Sequence, residues 1–78
     1  MTTGNLIPMT AHVEVRSSSS YAETPVAFHW DGKRLEVDNV RISWRTPIGI
    51  SFSVVTNDRR IFELHYDIDE DQWYIEPR

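Results

Sequence analysis

At 78 residues the chain has room for one domain with a small core. It has no cysteine, a formal charge of −4 and a pI near 5.2. These exclude a disulfide framework and a thiolate metal site, and they weigh against a phosphate backbone as the default partner.

Met1 to Thr10 carries neither a basic start nor a long apolar run, so no signal peptide is expected. No later stretch is apolar for long enough to span a membrane. A small secreted domain usually needs disulfides, so their absence points to a reducing, cytoplasmic setting. Residues 1–10 read as a flexible tail, and residues 11–78 as a single β domain.

His12-Val13-Glu14-Val15-Arg16 alternates apolar and polar residues, which predicts a strand over about 11–17. Ser17 to Ser20 is a polar connection leading toward Pro25. The run Phe28-His29-Trp30-Asp31-Gly32-Lys33-Arg34-Leu35 then carries the strongest local signal in the chain. Asp-Gly between alternating strands predicts a two-residue hairpin turn. With that turn Trp30 faces Lys33, Phe28 faces Leu35 and Val26 faces Val37. The apolar residues of both strands then share one face, while Ala27, His29, Arg34 and Glu36 share the other. A slip of one residue would destroy this match.

Leu35 and Val37 fall on odd positions, whereas Val40, Ile42 and Trp44 fall on even ones. Asp38-Asn39 therefore predicts a β-bulge inside one long strand. Arg45-Thr46-Pro47-Ile48-Gly49 reads as a loop. Pairing Trp44 with Ile50, Ile42 with Phe52 and Val40 with Val54 keeps the large apolar groups together. A three-residue connection, Asn57-Asp58-Arg59, pairs Val54 with Phe62, Phe52 with Leu64 and Ile50 with Tyr66. The last hairpin turns through Ile68-Asp69-Glu70-Asp71 and pairs Tyr66 with Trp73 and Leu64 with Ile75.

No window shows a 3.6-residue period, so no long helix is expected. The reading is all-β. Six antiparallel strands in meander order, at about 11–17, 25–30, 33–44, 50–56, 60–67 and 72–76, form a strongly bent sheet or a small barrel. The expected core is Val13, Val15, Val26, Phe28, Leu35, Val37, Val40, Ile42, Trp44, Phe52, Val54, Phe62, Leu64 and Trp73.

The run Pro25-x-x-Phe28-x-Trp30-x-Gly32, with Val37, Val40, Ile42 and Trp44 after it, resembles a bacterial family of small β-rich domains of unknown function. So does the C-terminal pattern Phe62-x-Leu64 followed by Trp73-Tyr74-Ile75. The resemblance extends from Val13 to Ile75 and rests on core and turn residues. Some members of that family are encoded beside error-prone DNA polymerase components. The resemblance implies a β-rich fold, no catalytic residues and a setting in bacterial DNA repair or damage tolerance. The chain departs from the family in having only Arg45–Gly49 where members carry a longer charged segment.

The same register defines an outer face. Ser43, Ser51, His65 and Tyr74 are expected in one cross-strand row, and Arg41, Ser53, Glu63 and Glu76 in the next. Ser51 beside His65 has the elements of a nucleophile and base, but no carboxylate obviously orients His65, and a sheet face offers no enclosed oxyanion site. Asp67-x-Asp69-x-Asp71 imitates the start of a calcium loop, yet Gln72 stands where the glycine should follow and Arg78 at the twelfth position, so a solvated hairpin tip is the better reading. His12, His29 and His65 lack ligand spacing, so no metal or other cofactor is expected.

Arg41, Arg45, Arg59 and Arg60 offer a basic region for single-stranded nucleic acid, with Tyr74 as the exposed ring. Val55 and Ile61 lie opposite each other and form a modest apolar patch with Tyr74. Arg41, Arg45, Ser51, Val55, Arg59, Arg60, Ile61, His65 and Tyr74 are the candidate interaction surface. The leading expectation is a non-enzymatic module, a monomer or weak homodimer, that binds another protein through this face or a sheet edge. Nucleic-acid binding is the alternative, and a small hydrolase a remote third.

Overall fold

The computed structural model describes residues 12–17 and 23–78. The tail expected at residues 1–10 and most of the connection at 17–20 lie outside the described residues. Six strands make up the rest: β1 (Val13–Ser17), β2 (Glu23–Trp30), β3 (Lys33–Thr46), β4 (Gly49–Thr56), β5 (Ile61–Asp67) and β6 (Gln72–Pro77). All are antiparallel and stand in sequence order in one sheet. The sheet curls into a half-barrel, and β1 and β6 do not pair with each other. Of the two expected architectures, the molecule takes the bent sheet.

The Asp31-Gly32 turn behaves as its chemistry requires. Asp31 (φ 52°) and Gly32 (φ 77°) both take positive φ, the signature of a type I′ turn whose twist matches the flanking strands. Phe28 pairs with Leu35 and Trp30 with Lys33, as expected. The three-residue β4–β5 connection and the β5–β6 hairpin also hold. Val54 pairs with Phe62, Phe52 with Leu64, Tyr66 with Trp73 and Leu64 with Ile75. In the β4–β5 turn Arg59 takes a left-handed φ of 70°, while the Thr56 N–H donates to the Arg60 carbonyl at 2.8 Å.

The long strand β3 links both halves of the molecule. Its N-terminal part pairs with β2 and its C-terminal part with β4. Register irregularities fall between Val37 and Asn39 and again between Val40 and Ile42. The first is the expected bulge at Asp38. The second, at Arg41, was not expected, and it reverses the pleat for the rest of the strand. Val40 still pairs with Val54, but Ile42 pairs with Ser53, Ser43 with Phe52, Trp44 with Ser51 and Arg45 with Ile50. The expected five-residue loop is instead a tight turn at Pro47-Ile48, closed by Thr46 pairing with Gly49. The Gly49 N–H also donates to Thr46 Oγ1 at 3.0 Å.

This corrects the expected core. Ile42 and Trp44 point outward and are 59% and 36% exposed. Val15 and Val26 also stand apart from the core cluster, because β1 and β2 slip past one another between Glu14 and Val15. Pro25, on the displaced side, has no N–H to lose from a ladder, so a bulge suits it. The core that remains is Phe28, Leu35, Phe52, Val54, Phe62 and Leu64, flanked by Val13, Trp30, Val37, Val40, Ile50, Trp73 and Ile75.

Curling brings β2 over β5. The Phe28 and Phe62 rings meet edge to face at 5.0 Å, and Trp30 meets Phe62 at 5.6 Å. Such pairs add about 0.5–1.5 kcal/mol beyond their buried area. At the other end Trp73 tilts against Phe52 (5.9 Å) and Tyr66 (5.0 Å). Outside the core, the small side chain of Ala27 is buried between Glu14 and Glu36. Arg34 bridges those two carboxylates at 2.7 and 3.1 Å.

Candidate functional site

The second bulge rebuilds the outer face. Trp44 takes the place expected for Ser43, so the row across the sheet is Trp44, Ser51, His65 and Tyr74. Ile42 takes the place expected for Arg41, giving Ile42, Ser53, Glu63 and Glu76. Ser43 and Arg45 turn to the inner face, opposite Phe52 and Ile50.

Ser51 lies between two large neighbours. The Trp44 and His65 rings approach edge to face at 6.4 Å from either side of it, and Ser51 is only 1% exposed. Its Oγ is 2.7 Å from His65 Nδ1. The opposite ring nitrogen, Nε2, is 3.1 Å from Glu76 Oε1 and 3.5 Å from Glu63 Oε1. A carboxylate therefore does stand behind His65, contrary to the expectation. Glu63 is two residues from His65 on β5, and Glu76 faces Glu63 across the β5–β6 ladder. Alternation and register place both beside the imidazole, one row over. Treating the rows separately hid that diagonal neighbour.

The Ser–His–Glu order mimics a hydrolytic triad with its hydroxyl buried. The nucleophile must reach a substrate carbonyl, and here it lies beneath two rings. β4 is paired on both sides, so its backbone N–H groups are committed to the ladders rather than gathered as an oxyanion site.

The four arginines do not gather. Arg59 and Arg60 sit at the β4–β5 turn, and Arg45 sits beside the Pro47-Ile48 turn at the far end of β4. An eight-residue strand such as β4 spans roughly 25 Å. Arg60 is engaged elsewhere, its guanidinium 4.9 Å over the Phe62 ring and its Nη1 3.9 Å from Asp58. Arg41 occupies the bulge. Val55 and Ile61 do pair, as expected, but Ser53 and Glu63 separate them from Ser51 and His65, so Tyr74 is not part of their patch. Ile42 lies diagonally toward Val55, extending an apolar band from Trp44 to Ile61.

The acidic hairpin tip is used locally. Asp67 Oδ1 accepts the Glu70 N–H at 3.0 Å, and Asp71 Oδ1 accepts the Tyr66 hydroxyl at 2.5 Å. These carboxylates brace the turn. His12 and His29 meet edge to face at 5.2 Å on β1–β2, away from His65. An open hollow of about 440 Å³ lies where β2 and β3 stop pairing, with Arg16, Val26, Glu36, Asp38 and Asn39 in its lining. None of the candidate surface residues borders it. No protein family, curated protein or solved structure matches this chain.

Proposed function

We propose that this chain is a non-enzymatic interaction module that presents the outer face of β3–β6 to another protein. The observation that carries this reading is the outward turn of Ile42 and Trp44. Among the described residues Ile42, Trp44, Ile48 and Ile68 are the exposed large apolar side chains; Ile48 and Ile68 lie in turns, whereas Ile42 and Trp44 share one sheet face, and apolar groups grouped in this way mark contact sites. Tryptophan is the residue type most often found to dominate binding energy. Glu63 and Glu76 lie beside this band on a chain of net charge −4. The partner it fits is therefore a protein surface with an apolar hollow rimmed by basic side chains. A setting in bacterial DNA repair or damage tolerance belongs to the proposal through the family resemblance alone, and a cytoplasmic one through the absence of cysteine.

The test is affinity capture from the native cells with the wild-type chain and with an Ile42→Ser/Trp44→Ser variant. Support is a protein captured by the wild type alone that rebinds in purified form at least about 30-fold more tightly than to the variant, as loss of about 2 kcal/mol at a hot spot requires. A partner held equally by both would remove the outer face from the proposal.

Single-stranded nucleic acid is a second reading, because Trp44 supplies an exposed ring beside His65 and Tyr74. Against it, Glu63 and Glu76 border those rings and the arginines are dispersed. Titration of labelled single-stranded DNA from low to high salt separates the two readings, since backbone binding must weaken steeply as salt rises.

A further inference from the structure

We propose that Glu63, His65 and Glu76 form a binding site for a divalent transition-metal ion of the zinc type. One ligand atom from each lies within 4.8 Å of the others. The Nε2-to-oxygen separations, 3.1 and 3.5 Å, bracket the edge of a zinc tetrahedron. Ligands at about 2.0–2.1 Å from a tetrahedral ion stand roughly 3.4 Å apart. Two of the three edges already match, and the third, between the carboxylate oxygens, lies within 4.8 Å and closes by rotation of the Glu76 side chain, which is half exposed. One imidazole and two carboxylates suit zinc and its neighbours. Calcium would demand six or more oxygens, which the site lacks.

Support behind the imidazole is the independent observation. Metal-bound histidines hold their other ring nitrogen in a hydrogen bond that fixes the tautomer. Here Ser51 Oγ occupies that position at 2.7 Å, and it is buried beneath the Trp44 and His65 rings. A hydroxyl both donates and accepts. With the ring proton on Nε2, Ser51 would donate to Nδ1 and Nε2–H to Glu76. With metal, the ring proton resides on Nδ1, Ser51 accepts it, and Nε2 offers its lone pair to the ion.

Arg78 competes for the same charge. Its Nε is 3.6 Å from Glu63 Oε2 and its Nη1 3.9 Å from Glu76 Oε2. Both contacts use the oxygens turned away from His65, so Arg78 offsets the two facing carboxylates until an ion replaces it. This proposal is independent of the protein-docking reading.

The experiment is calorimetric titration of the untagged full chain with zinc chloride, with circular dichroism to verify the fold of each variant. The expected result is saturable binding of one ion. His65→Gln and Glu63→Gln should each weaken it at least about ten-fold, and Ser51→Ala by about ten-fold, the usual effect of removing an outer-shell partner. Arg78→Ala should bind as tightly or more tightly. His29→Ala should bind like wild type, because the His12–His29 pair is the competing location. In ¹⁵N spectra of the imidazoles, zinc should shift Nε2 of His65 and leave Nδ1 protonated. Absence of saturable binding at millimolar zinc would overturn the proposal. So would loss of binding in His29→Ala with retention in folded His65→Gln.

Discussion

The hairpins on either side of β3 are built from similar material and end differently. In β2–β3 the bulky residues point inward, and Phe28 and Leu35 become core. In β3–β4 an equally apolar stretch, Ile42-Ser43-Trp44, delivers its large side chains to the outside. The difference is one residue, Arg41, inserted into the ladder. A strand's hydrophobic pattern fixes which residues travel together. The bulges fix which face they reach.

The sharpest way to break this contrast is to truncate the aromatic residues on each side. Phe28→Ala should cost about 3–5 kcal/mol, because its ring is fully buried against Phe62. Urea unfolding measures it. Trp44→Ala should cost under about 1 kcal/mol, since only the partial cover over Ser51 and His65 is lost. A loss for Trp44 comparable to that for Phe28 would mean that the ring is in the core and the second bulge is misplaced.

A smaller effect probes the turn that secures the first hairpin. Gly32→Ala should cost about 1–2 kcal/mol, entirely from placing a Cβ at φ 77°, because open space surrounds the site. Gly32→Asn should recover part of that loss, as asparagine tolerates the left-handed region. In contrast, Gly49→Ala at the second hairpin is steric. Its Cβ would fall 1.9 Å from the Tyr66 carbonyl oxygen, so the β4–β5 ladder must shift.

Acid provides the gentlest probe. The Arg34 guanidinium holds the Glu14 carboxyl below its ordinary value of 4.5. Its contribution is therefore complete above that value and fades as the pH falls through the lowered one. Amide exchange in β1 should accelerate over this range before exchange in β4 or β5 does. Equal acceleration in all three strands would show that the bridge does not anchor β1.

Much of the fold was legible because turns carry chemistry. Asp31-Gly32 named its own geometry, and the three residues from Asn57 to Arg59 were the only connection that kept Phe52 opposite Leu64. The change of parity at Asp38 announced the first bulge. Arg41 announced nothing, since an arginine serves equally well in a bulge or on a regular outer face. The apolar Ile42 and Trp44 pointed toward the core because exposed pairs of that kind are uncommon in strands. At the candidate site, the Ser51–His65 contact followed from register. The carboxylates were missed because they reach His65 from the adjoining row, Glu63 along the same strand and Glu76 diagonally across the ladder.

Every strand pairs only with its immediate neighbour in sequence. Loop closure between partners is therefore short throughout, and short closures are entropically inexpensive and fast. Assembly can proceed as zippering outward from β3 and β4, each new hairpin laid on a template already formed. The order should reverse under mechanical load. Pulled from its termini, the molecule should peel from both outer strands inward, and the central ribbon should be the last to part.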